Sequence, residues 1–439
     1  MANFAKPSAP RFNVEVYQNE YLPEGGRDVH AIVTVTSTGG ATATRTSAQG
    51  AAVVIMVDCS GSMEYPPEKM RGAREATAAA IDTLRDGTSF AVIAGTHVAK
   101  EVYPGQGRLA TADAATRAQA KEALRGLSSG GGTAIGTWLR LADGLLRQST
   151  ASIRHGILLT DGRNEHEEPE VLRATLDACA GRFTCDARGV GTDWEVREVT
   201  GIASALLGTA DIVADPAHLS EDFTHMMENV MGKEVADVAL RLWTPVGVEI
   251  QYVKQVAPAV QDLTDRRTEA GPRAGDYPTG SWGDESREYH VCVRVPGAAV
   301  GQEMLAARAT LIMPGAPGEA PTVLSQGLVR AVWTNDLAAS TAINAQVAHY
   351  TGQAELAQAI QQGLEARKLG DVGGATAKLG RAVQLASSSG NADTAKLLAK
   401  VVDVVDAAAG TVRLKAKVAD ADEMTLETRS TQTVRVKKA

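Results

Sequence analysis

The segment Asp58-Cys59-Ser60-Gly61-Ser62 carries oxygen-bearing side chains at alternate positions. In extended or turning backbone, Asp58, Ser60 and Ser62 project to one side because successive side chains alternate. Gly61 lets the chain turn tightly between the two serines. One carboxylate and two hydroxyls are hard oxygen ligands, which Mg²⁺ and Mn²⁺ prefer. The spacing therefore predicts a divalent-cation site with too little negative charge, which would attract an external carboxylate.

Two further loops carry polar residues that could complete this site. The first, SSGGGT at 128–133, precedes a helical pattern that contains Ile135. The second, Thr160-Asp161-Gly162, follows the strand pattern of RHGILLT at 154–160. Because open α/β sheets bind ligands at the carboxyl ends of their strands, we expect these loops to gather at one edge.

The region 51–232 alternates strand patterns with helical ones. Its first run, AAVVIMV at 51–57, is continuously apolar, as in a strand that is buried on both faces. Apolar residues at spacings of three and four follow it, and the same period recurs between later apolar runs. Strands that alternate with helices predict a parallel, doubly wound, Rossmann-like sheet.

The flanking regions alternate apolar with polar residues, which predicts half-buried antiparallel strands in 12–46 and 234–335. The stretch 261–287 is polar and contains Pro, several Gly and charged residues, so it is predicted to be a long loop. Because two or three strands are unstable alone, we expect the N-terminal strands to complete an antiparallel β-sandwich. The α/β domain would then be inserted between strands of that sandwich.

The predicted organisation has five parts, bounded by changes in pattern. They are N-terminal sandwich strands at 1–50, the α/β domain at 51–232, the rest of the sandwich at 233–335, a small Ala- and Leu-rich helical bundle at 336–412, and a tail at 413–439. Near the basic end of the tail, Thr428, Thr431 and Thr433 are candidate phosphorylation sites for a kinase and a phosphothreonine-reading partner. A final strand and a disordered end are the alternatives.

Composition excludes several classes of protein. The 439 residues carry a formal net charge of -8, and only 4% are aromatic, which argues against nucleic-acid binding. Four cysteines are too few for a disulfide framework in a chain of this length. No apolar run suits a signal peptide or a membrane span, so we expect a cytoplasmic protein.

The site residues resemble those of the von Willebrand factor A (VWA) family, of a bacterial cytosolic type. DCSGS at 58–62 matches the DxSxS signature, Thr133 matches the loop threonine, and Asp161 matches the strand-end aspartate. VGTDW at 190–194 is similar to the end of the family's fifth strand. The resemblance covers about 51–232.

This resemblance implies a metal-ion-dependent adhesion site (MIDAS). Ser60, Ser62 and Thr133 would coordinate the ion through their hydroxyls, while Asp58 and Asp161 would act directly or through water. An Asp or Glu of a partner protein would take the sixth position. Mg²⁺ is the expected ion, with Mn²⁺ and Ca²⁺ as alternatives.

The predicted function is therefore that of a non-enzymatic scaffold that docks the carboxylate of a protein partner on a divalent ion. One alternative is an accessory subunit of an AAA+ ATPase, similar to the chelatase or MoxR-partner type. A second is a metal-dependent phosphohydrolase that uses Asp58. A third is self-assembly, in which an acid of one copy occupies the site of the next.

Other polar residues have ordinary structural interpretations. Asp and Ser at strand ends commonly cap helices and form turns, so the motif itself also has such an interpretation. Cys59 is expected to be a small apolar filler, and Cys179 and Cys185 lack zinc-ligand spacing. His155 is expected to be a hydrogen-bonded core histidine. The acidic stretch 165–168 before Pro169 is predicted to be a solvated helix start, with a role beside the metal face as the alternative.

Overall fold

The computed structural model describes residues 11–38, 50–315 and 319–435. The chain divides into two compact units, one within residues 44–236 and the other within 1–43 and 237–439. Together they form a mixed α/β fold with a Rossmann-like sheet, further sheets and a C-terminal helical region, which confirms the predicted fold class at this level. Within the described part of the chain, no helix has the length and apolarity needed to cross a membrane.

Three strands precede the α/β unit in the chain. They are β1 (Arg11–Gln18), β2 (Tyr21–Leu22) and β3 (Asp28–Thr38). Strands β1 and β3 are antiparallel, with Val14 opposite Val35 and Val16 opposite Val33. The predicted alternation over 12–46 is thus confirmed as far as residue 38, and its remainder lies outside the described residues.

The α/β unit alternates strands with helices, as the sequence predicts. Its elements are β4 (Ala51–Asp58), α1 (Glu68–Thr83), β5 (Ser89–Gly95), β6 (Ala99–Tyr103), β7 (Ala110–Thr111), α2 (Ala114–Leu124), α3 (Ile135–Leu146), β8 (Ile153–Thr160), α4 (Pro169–Cys179), β9 (Thr184–Val190), α5 (Val196–Ala205), β10 (Ala210–Val213) and α6 (Leu219–Met231). Short 3₁₀ turns at Gly61–Glu64 and Pro216–His218 precede α1 and α6.

The sheet of this unit has the order β10-β9-β8-β4-β5-β6, with β7 also paired to β5. The strands from β10 to β5 are parallel, and β6 and β7 are antiparallel to β5. Residues 52–57 of β4 are fully buried because the strand lies in the centre of the sheet. The apolar sides of α1 and α6 pack on the face that contains Val53, Ile55 and Val57.

Strand β4 is where the strand order reverses. The chain proceeds from β4 to β5 on one side and later returns to β8 on the other side. The carboxyl ends of β4 and β8 therefore border the crevice in which open α/β sheets bind ligands. This topology brings Asp58 and Thr160 to the same edge.

The second unit continues with eight strands. They are β11 (Val235–Trp243), β12 (Glu249–Ala257), β13 (Gln261–Asp262), β14 (Thr268–Gly271), β15 (Ala274–Trp282), β16 (Glu285–Arg294), β17 (Glu303–Met313) and β18 (Thr322–Trp333). One sheet has the order β1-β3-β16-β12-β13, and another has the order β14-β15-β11-β17-β18-β2. Strands that precede the α/β unit in sequence thus pair with strands that follow it.

The prediction of a long loop at 261–287 is wrong, because β13, β14, β15 and the start of β16 lie there. Pairing between β14 and β15 shifts register between Glu269 and Gly271, which interrupts the simple alternation. The buried side chains Tyr277 and Trp282 are separated by small and polar residues. The period of two is therefore weak in the sequence of these strands.

The C-terminal region is largely helical. Its elements are α7 (Leu337–Thr341), α8 (Ala345–Lys368), α9 (Val372–Ser389), α10 (Ala392–Val401), β19 (Val402–Asp406), β20 (Thr411–Leu414) and α11 (Asp420–Arg429). Val347 and Tyr350 of α8 pack on Ile32 and Val256 of the five-stranded sheet. The sequence interpretation gives 413–439 as a tail, whereas α11 is ordered there and its Leu426 is fully buried in the helical core.

Candidate functional site

Asp58 ends β4 in a fully buried position beneath the site. Its two carboxylate oxygens accept hydrogen bonds from the backbone N–H of Ser60 at 2.8 Å and from the hydroxyl of Thr160 at 2.6 Å. Burial raises the pKa of Asp58 to about 6, against the lowering effect of the hydrogen bonds from Ser60 and Thr160. Asp58 thus holds the end of β4 to the end of β8.

Three hydroxyl groups converge above Asp58. The oxygens of Ser60 and Ser62 are 2.9 Å apart, and Ser62 donates to Asp161 Oδ1 at 2.7 Å. A Cβ atom added to Gly162 would lie 3.0 Å from Ser62 Oγ, 3.3 Å from Thr133 Oγ1 and 3.8 Å from Ser60 Oγ. We call these three hydroxyls, from Ser60, Ser62 and Thr133, the hydroxyl cradle.

The hydroxyl cradle and Asp161 suit a hard cation. Hydroxyl and carboxylate oxygens are the ligands that Mg²⁺ and Mn²⁺ prefer. No three His, Cys, Asp or Glu side chains within 11–38, 50–315 and 319–435 form a metal-binding group, so neutral hydroxyls must supply most of the donors. The space over Gly162 is available only because that residue has no side chain.

Backbone hydrogen bonds join the loops that carry these donors. Gly130 N–H donates to the carbonyl of Cys59, and Gly61 N–H donates to that of Gly131, both at 2.9 Å. His166 N–H donates to the carbonyl of Thr133 at 3.0 Å. The three loops are therefore fixed to one another before any ligand binds.

The glycines before Thr133 make room for two imidazole rings. Gly131 has a φ of +82°, and a Cβ there would lie 2.8 Å from His97 Nδ1. A Cβ on Gly132 would come within 2.3 Å of the His166 ring. This glycine run therefore permits close packing of His97 and His166 beside the site.

Side chains from the loop after β8 cap helix α3. Asn164 Oδ1 accepts from Ile135 N–H and Glu167 Oε2 accepts from Gly136 N–H, both at 2.7 Å. The Glu167 side chain is only 4% exposed, so the predicted solvated helix start is wrong for this residue. Both contacts fix the start of α3 and hence the position of Thr133 just before it.

Lys69 is a further residue of the site that was not predicted; it lies in α1 and is only 5% exposed. Its ammonium donates to Asp161 Oδ2 at 2.7 Å and to Asp193 Oδ2 at 2.9 Å. Burial lowers the pKa of Lys69, but the two carboxylates outweigh it and the net pKa is raised. Asp193 lies in VGTDW, whose sequence resembles the end of the family's fifth strand, whereas no spacing rule singles out Lys69.

Cys59 and His155 have the structural roles that were predicted. Cys59, Cys179 and Cys185 are buried free thiols, and burial raises the pKa of Cys59 to about 12. His155 is buried in β8, where its Nε2 lies 2.9 Å from Asp186 Oδ2 and its Nδ1 lies 2.7 Å from Thr184 Oγ1. These residues belong to the interior of the unit.

The buried pair of His155 and Asp186 leads to a prediction about pH. Burial alone would raise the pKa of Asp186, but His155, Arg188 and Thr209 together lower it. A carboxylate with a lowered pKa stabilises the fold fully above its unfolded value, about pH 4, and loses this contribution as the pH falls further. We therefore expect Asp186→Asn to lower the free energy of unfolding at neutral pH, and the difference from wild type to shrink below about pH 4.

Urea-induced unfolding at a series of pH values measures this difference. Asp177→Asn, at an exposed position of α4, is the matched control and should leave the unfolding midpoint unchanged. If the difference in the free energy of unfolding between wild type and Asp186→Asn stays constant under acid conditions, the stabilising role assigned to the Asp186 carboxylate is contradicted.

The three candidate phosphorylation sites lie in or just after α11. Thr428 is buried, and the Thr433 hydroxyl donates to the carbonyl of Val256 at 2.7 Å. The carbonyl of Thr431 accepts from Val260 N–H at 2.7 Å. Their phosphorylation stays a prediction, and it would require this segment to detach from the sheet.

Comparison with known proteins gives two family matches. The von Willebrand factor type A domain family matches residues 51–212, and the von Willebrand factor type A C-terminal domain family matches residues 384–430. A solved structure, von Willebrand factor type A from Catenulispora acidiphila, is 51% identical, with 99% of each chain covered and a TM-score of 0.92. The ArnB paralog VWA2 from Sulfolobus acidocaldarius is 14% identical over 97% of this chain and 98% of its own, with a TM-score of 0.56, and is similar in fold. No curated protein matches the chain.

Proposed function

Since this chain belongs to the von Willebrand factor A family, whose domains generally mediate protein–protein interactions, we propose that it binds a partner protein through a divalent ion. The ion would be held by Ser60, Ser62, Thr133 and Asp161, with Asp58 supporting the site from below. Mg²⁺ is the proposed ion. The partner would contribute the carboxylate of an Asp or Glu.

One observation carries this proposal. Three hydroxyl oxygens from two separate loops lie within 3.0–3.8 Å of the position that a Cβ on Gly162 would take. If these hydroxyls served only to cap helices, they would not have to surround the free space next to a glycine. The fourth donor, Asp161, already bonds one of these hydroxyls through Oδ1.

The chain's own residues have distinct roles in this proposal. When bound, a divalent ion supplies positive charge and a free coordination position for a carboxylate. Ser62 is oriented by Asp161, and Ser60 is oriented by Asp58 through its backbone N–H. The hydrogen bonds between loops keep the donors in place, which lowers the entropy cost of binding.

The other predicted functions gain no support from the family matches. Neither match points to an AAA+ ATPase subunit or to a phosphohydrolase, and VWA domains are typically interaction modules. Self-assembly through a metal-bound carboxylate uses the same chemistry with a second copy as the partner. Sizing chromatography with Mg²⁺ and then with EDTA would distinguish it from binding to another protein.

We also propose that the two sheets of the second unit form a sandwich into which the α/β domain is inserted. Phe12 of β1 and Trp282 of β15 make an edge-to-face contact with ring centroids 5.7 Å apart. Val14 N–H of β1 donates to Ser325 Oγ of β18 at 3.1 Å. These contacts join strands of different sheets and support the proposal.

The direct test of the metal site is a titration of the metal-free protein with Mn²⁺, followed by electron paramagnetic resonance or calorimetry. Wild type should bind one ion, and Ser62→Ala should bind it at least about tenfold to a hundredfold more weakly, since loss of a group that merely supports a metal ligand already has an effect of this size. Ser128→Ala is a matched control because this serine is exposed in the loop that leads to Thr133.

Mn²⁺ binding that is the same in wild type, Ser62→Ala and Ser128→Ala would overturn the proposed site. The partner is then sought by a pull-down from native extract with Mg²⁺ or EDTA, with Asp161→Ala in parallel. A partner that stays bound in EDTA and to Asp161→Ala would show that the ion does not mediate the interaction.

A further inference from the structure

Lys69 places a buried positive charge directly behind the proposed metal site. Its ammonium lies 2.7 Å from Asp161 Oδ2, while Asp161 Oδ1 accepts from Ser62 in the hydroxyl cradle. The Asp161 carboxylate is fully buried. The same carboxylate therefore faces the cradle with one oxygen and Lys69 with the other.

A buried lysine is costly unless carboxylates compensate its charge. Lys69 has two such partners, and they differ in environment. Asp161 is fully buried, whereas the side chain of Asp193, at 2.9 Å, is 67% exposed. The pairing with Asp161 is thus screened less by water than the pairing with Asp193.

The buried charges around the hydroxyl cradle do not sum to zero when no ion or anion is bound. Asp58 and Asp161 contribute two negative charges and Lys69 contributes one positive charge, which leaves one net negative charge. A divalent ion would turn this into one net positive charge. An added anion with a single negative charge, such as the carboxylate of a partner, would return the buried group to neutrality.

We propose that Lys69 sets the affinity of the site: it weakens the hold on a divalent ion alone and makes ion binding depend on the carboxylate of the partner. This inference rests on the proposed function. Lys69 would also orient Asp161, but an orienting role and a charge role predict opposite effects of its removal. Loss of orientation weakens ion binding, whereas loss of the competing charge strengthens it.

Mn²⁺ titration at about pH 8, above the pKa of about 6 to which burial raises Asp58, separates the two roles. Lys69→Met should bind Mn²⁺ roughly tenfold more tightly than wild type, because a neighbouring positive charge is removed from a buried site. Lys121→Met is the matched control, since Lys121 makes an exposed ion pair with Asp82 at 2.6 Å in the same unit. It should leave Mn²⁺ affinity unchanged.

Asp193→Asn is a second variant, and we expect it to change the Mn²⁺ affinity in the opposite direction. Without Asp193, the Lys69 ammonium is left to Asp161 alone, so Mn²⁺ binding should weaken by about threefold. Its matched control is Asp82→Asn, which removes an exposed carboxylate from the pair with Lys121. Because Asp193 is largely exposed, this variant should fold even if Lys69→Met does not.

Acetate serves as a probe for the partner's carboxylate. In wild type, acetate should tighten Mn²⁺ binding relative to chloride at the same ionic strength. In Lys69→Met, acetate should increase the Mn²⁺ affinity by a smaller factor, since the ion alone already neutralises the buried charges. An equal gain in both proteins would overturn the proposed dependence on a carboxylate.

Mn²⁺ binding by folded Lys69→Met that is equal to or weaker than that of wild type would overturn the inference and leave the proposed function intact. If Lys69→Met does not fold, equal affinities of Asp193→Asn and Asp82→Asn would overturn it. The proposed function itself fails, and the inference with it, only if wild type shows no Mn²⁺ binding that Ser62→Ala weakens.

Discussion

Gly162→Ala should retain the fold and lose most of its affinity for a divalent ion. The added methyl group would lie 3.0 Å from Ser62 Oγ and 3.3 Å from Thr133 Oγ1, in the space that the hydroxyl cradle encloses. Because the methyl group would occupy space that the ion needs, we expect roughly a hundredfold loss of affinity, about 3 kcal/mol of binding free energy. Gly162 does not have a left-handed φ, so alanine adds no backbone strain there.

The measurement is Mn²⁺ affinity together with thermal unfolding. Gly144→Ala is the matched control, because a Cβ at this position in α3 would meet nothing within 4 Å. It should bind Mn²⁺ as wild type does. Unchanged Mn²⁺ affinity in Gly162→Ala would mean that the ion does not enter the hydroxyl cradle.

Gly95→Ala should strongly destabilise the fold at the edge of the sheet. Gly95 pairs with Asp58 across β4 and β5, and a Cβ on Gly95 would lie 2.3 Å from the Trp138 ring. Trp138 is fully buried and its Nε1 donates to the carbonyl of Thr96 at 2.6 Å, so the ring cannot move aside. We expect a loss of about 3 kcal/mol in the free energy of unfolding.

This substitution should also weaken Mn²⁺ binding, because Cys59 N–H donates to the carbonyl of Gly95 at 2.7 Å. Urea-induced unfolding reports the stability of Gly95→Ala. Gly201→Ala is compared with it, since a Cβ on this exposed glycine of α5 would meet nothing within 4 Å. A stability loss below about 1 kcal/mol in Gly95→Ala would show that the core around Trp138 adapts readily.

The site donors could be predicted from the sequence because strand ends in a parallel sheet share one edge. The buried run 51–57 fixes where β4 ends, and Asp58, Ser60 and Ser62 follow at alternate positions. Asp161 could be placed because it directly follows the buried strand pattern at 154–160. The structure brings Ser60, Ser62, Thr133 and Asp161 together over Gly162.

Lys69 could not be predicted in this way because its contacts are with residues that are distant in the sequence. It lies on the first turn of α1, where a charged residue ordinarily faces water. Its two partners, Asp161 and Asp193, are 92 and 124 residues away in sequence. No local period reports an ion pair over such a separation.

The flanking parts were harder to predict because their signals are weak. The pairing of β14 with β15 shifts register, and strands β13 to β15 bury few apolar residues, so their sequence is similar to that of a loop. Helix α11 begins with Asp420 and Asp422 and buries only Leu426 and Thr428. Its ordering depends on the helical core that Leu426 enters, which no local pattern reveals.

Cys59 lies between Asp58 and Ser60, but its side chain packs in the same core as Val57 and Met63. The backbone at this point thus carries both a side chain of the hydrophobic core and side chains of the proposed binding site. A genetic screen for loss of partner binding should accordingly recover changes at Cys59 and its buried neighbours as well as changes at the oxygen donors. Such variants would lie where no partner atom reaches, and they would act by shifting β4.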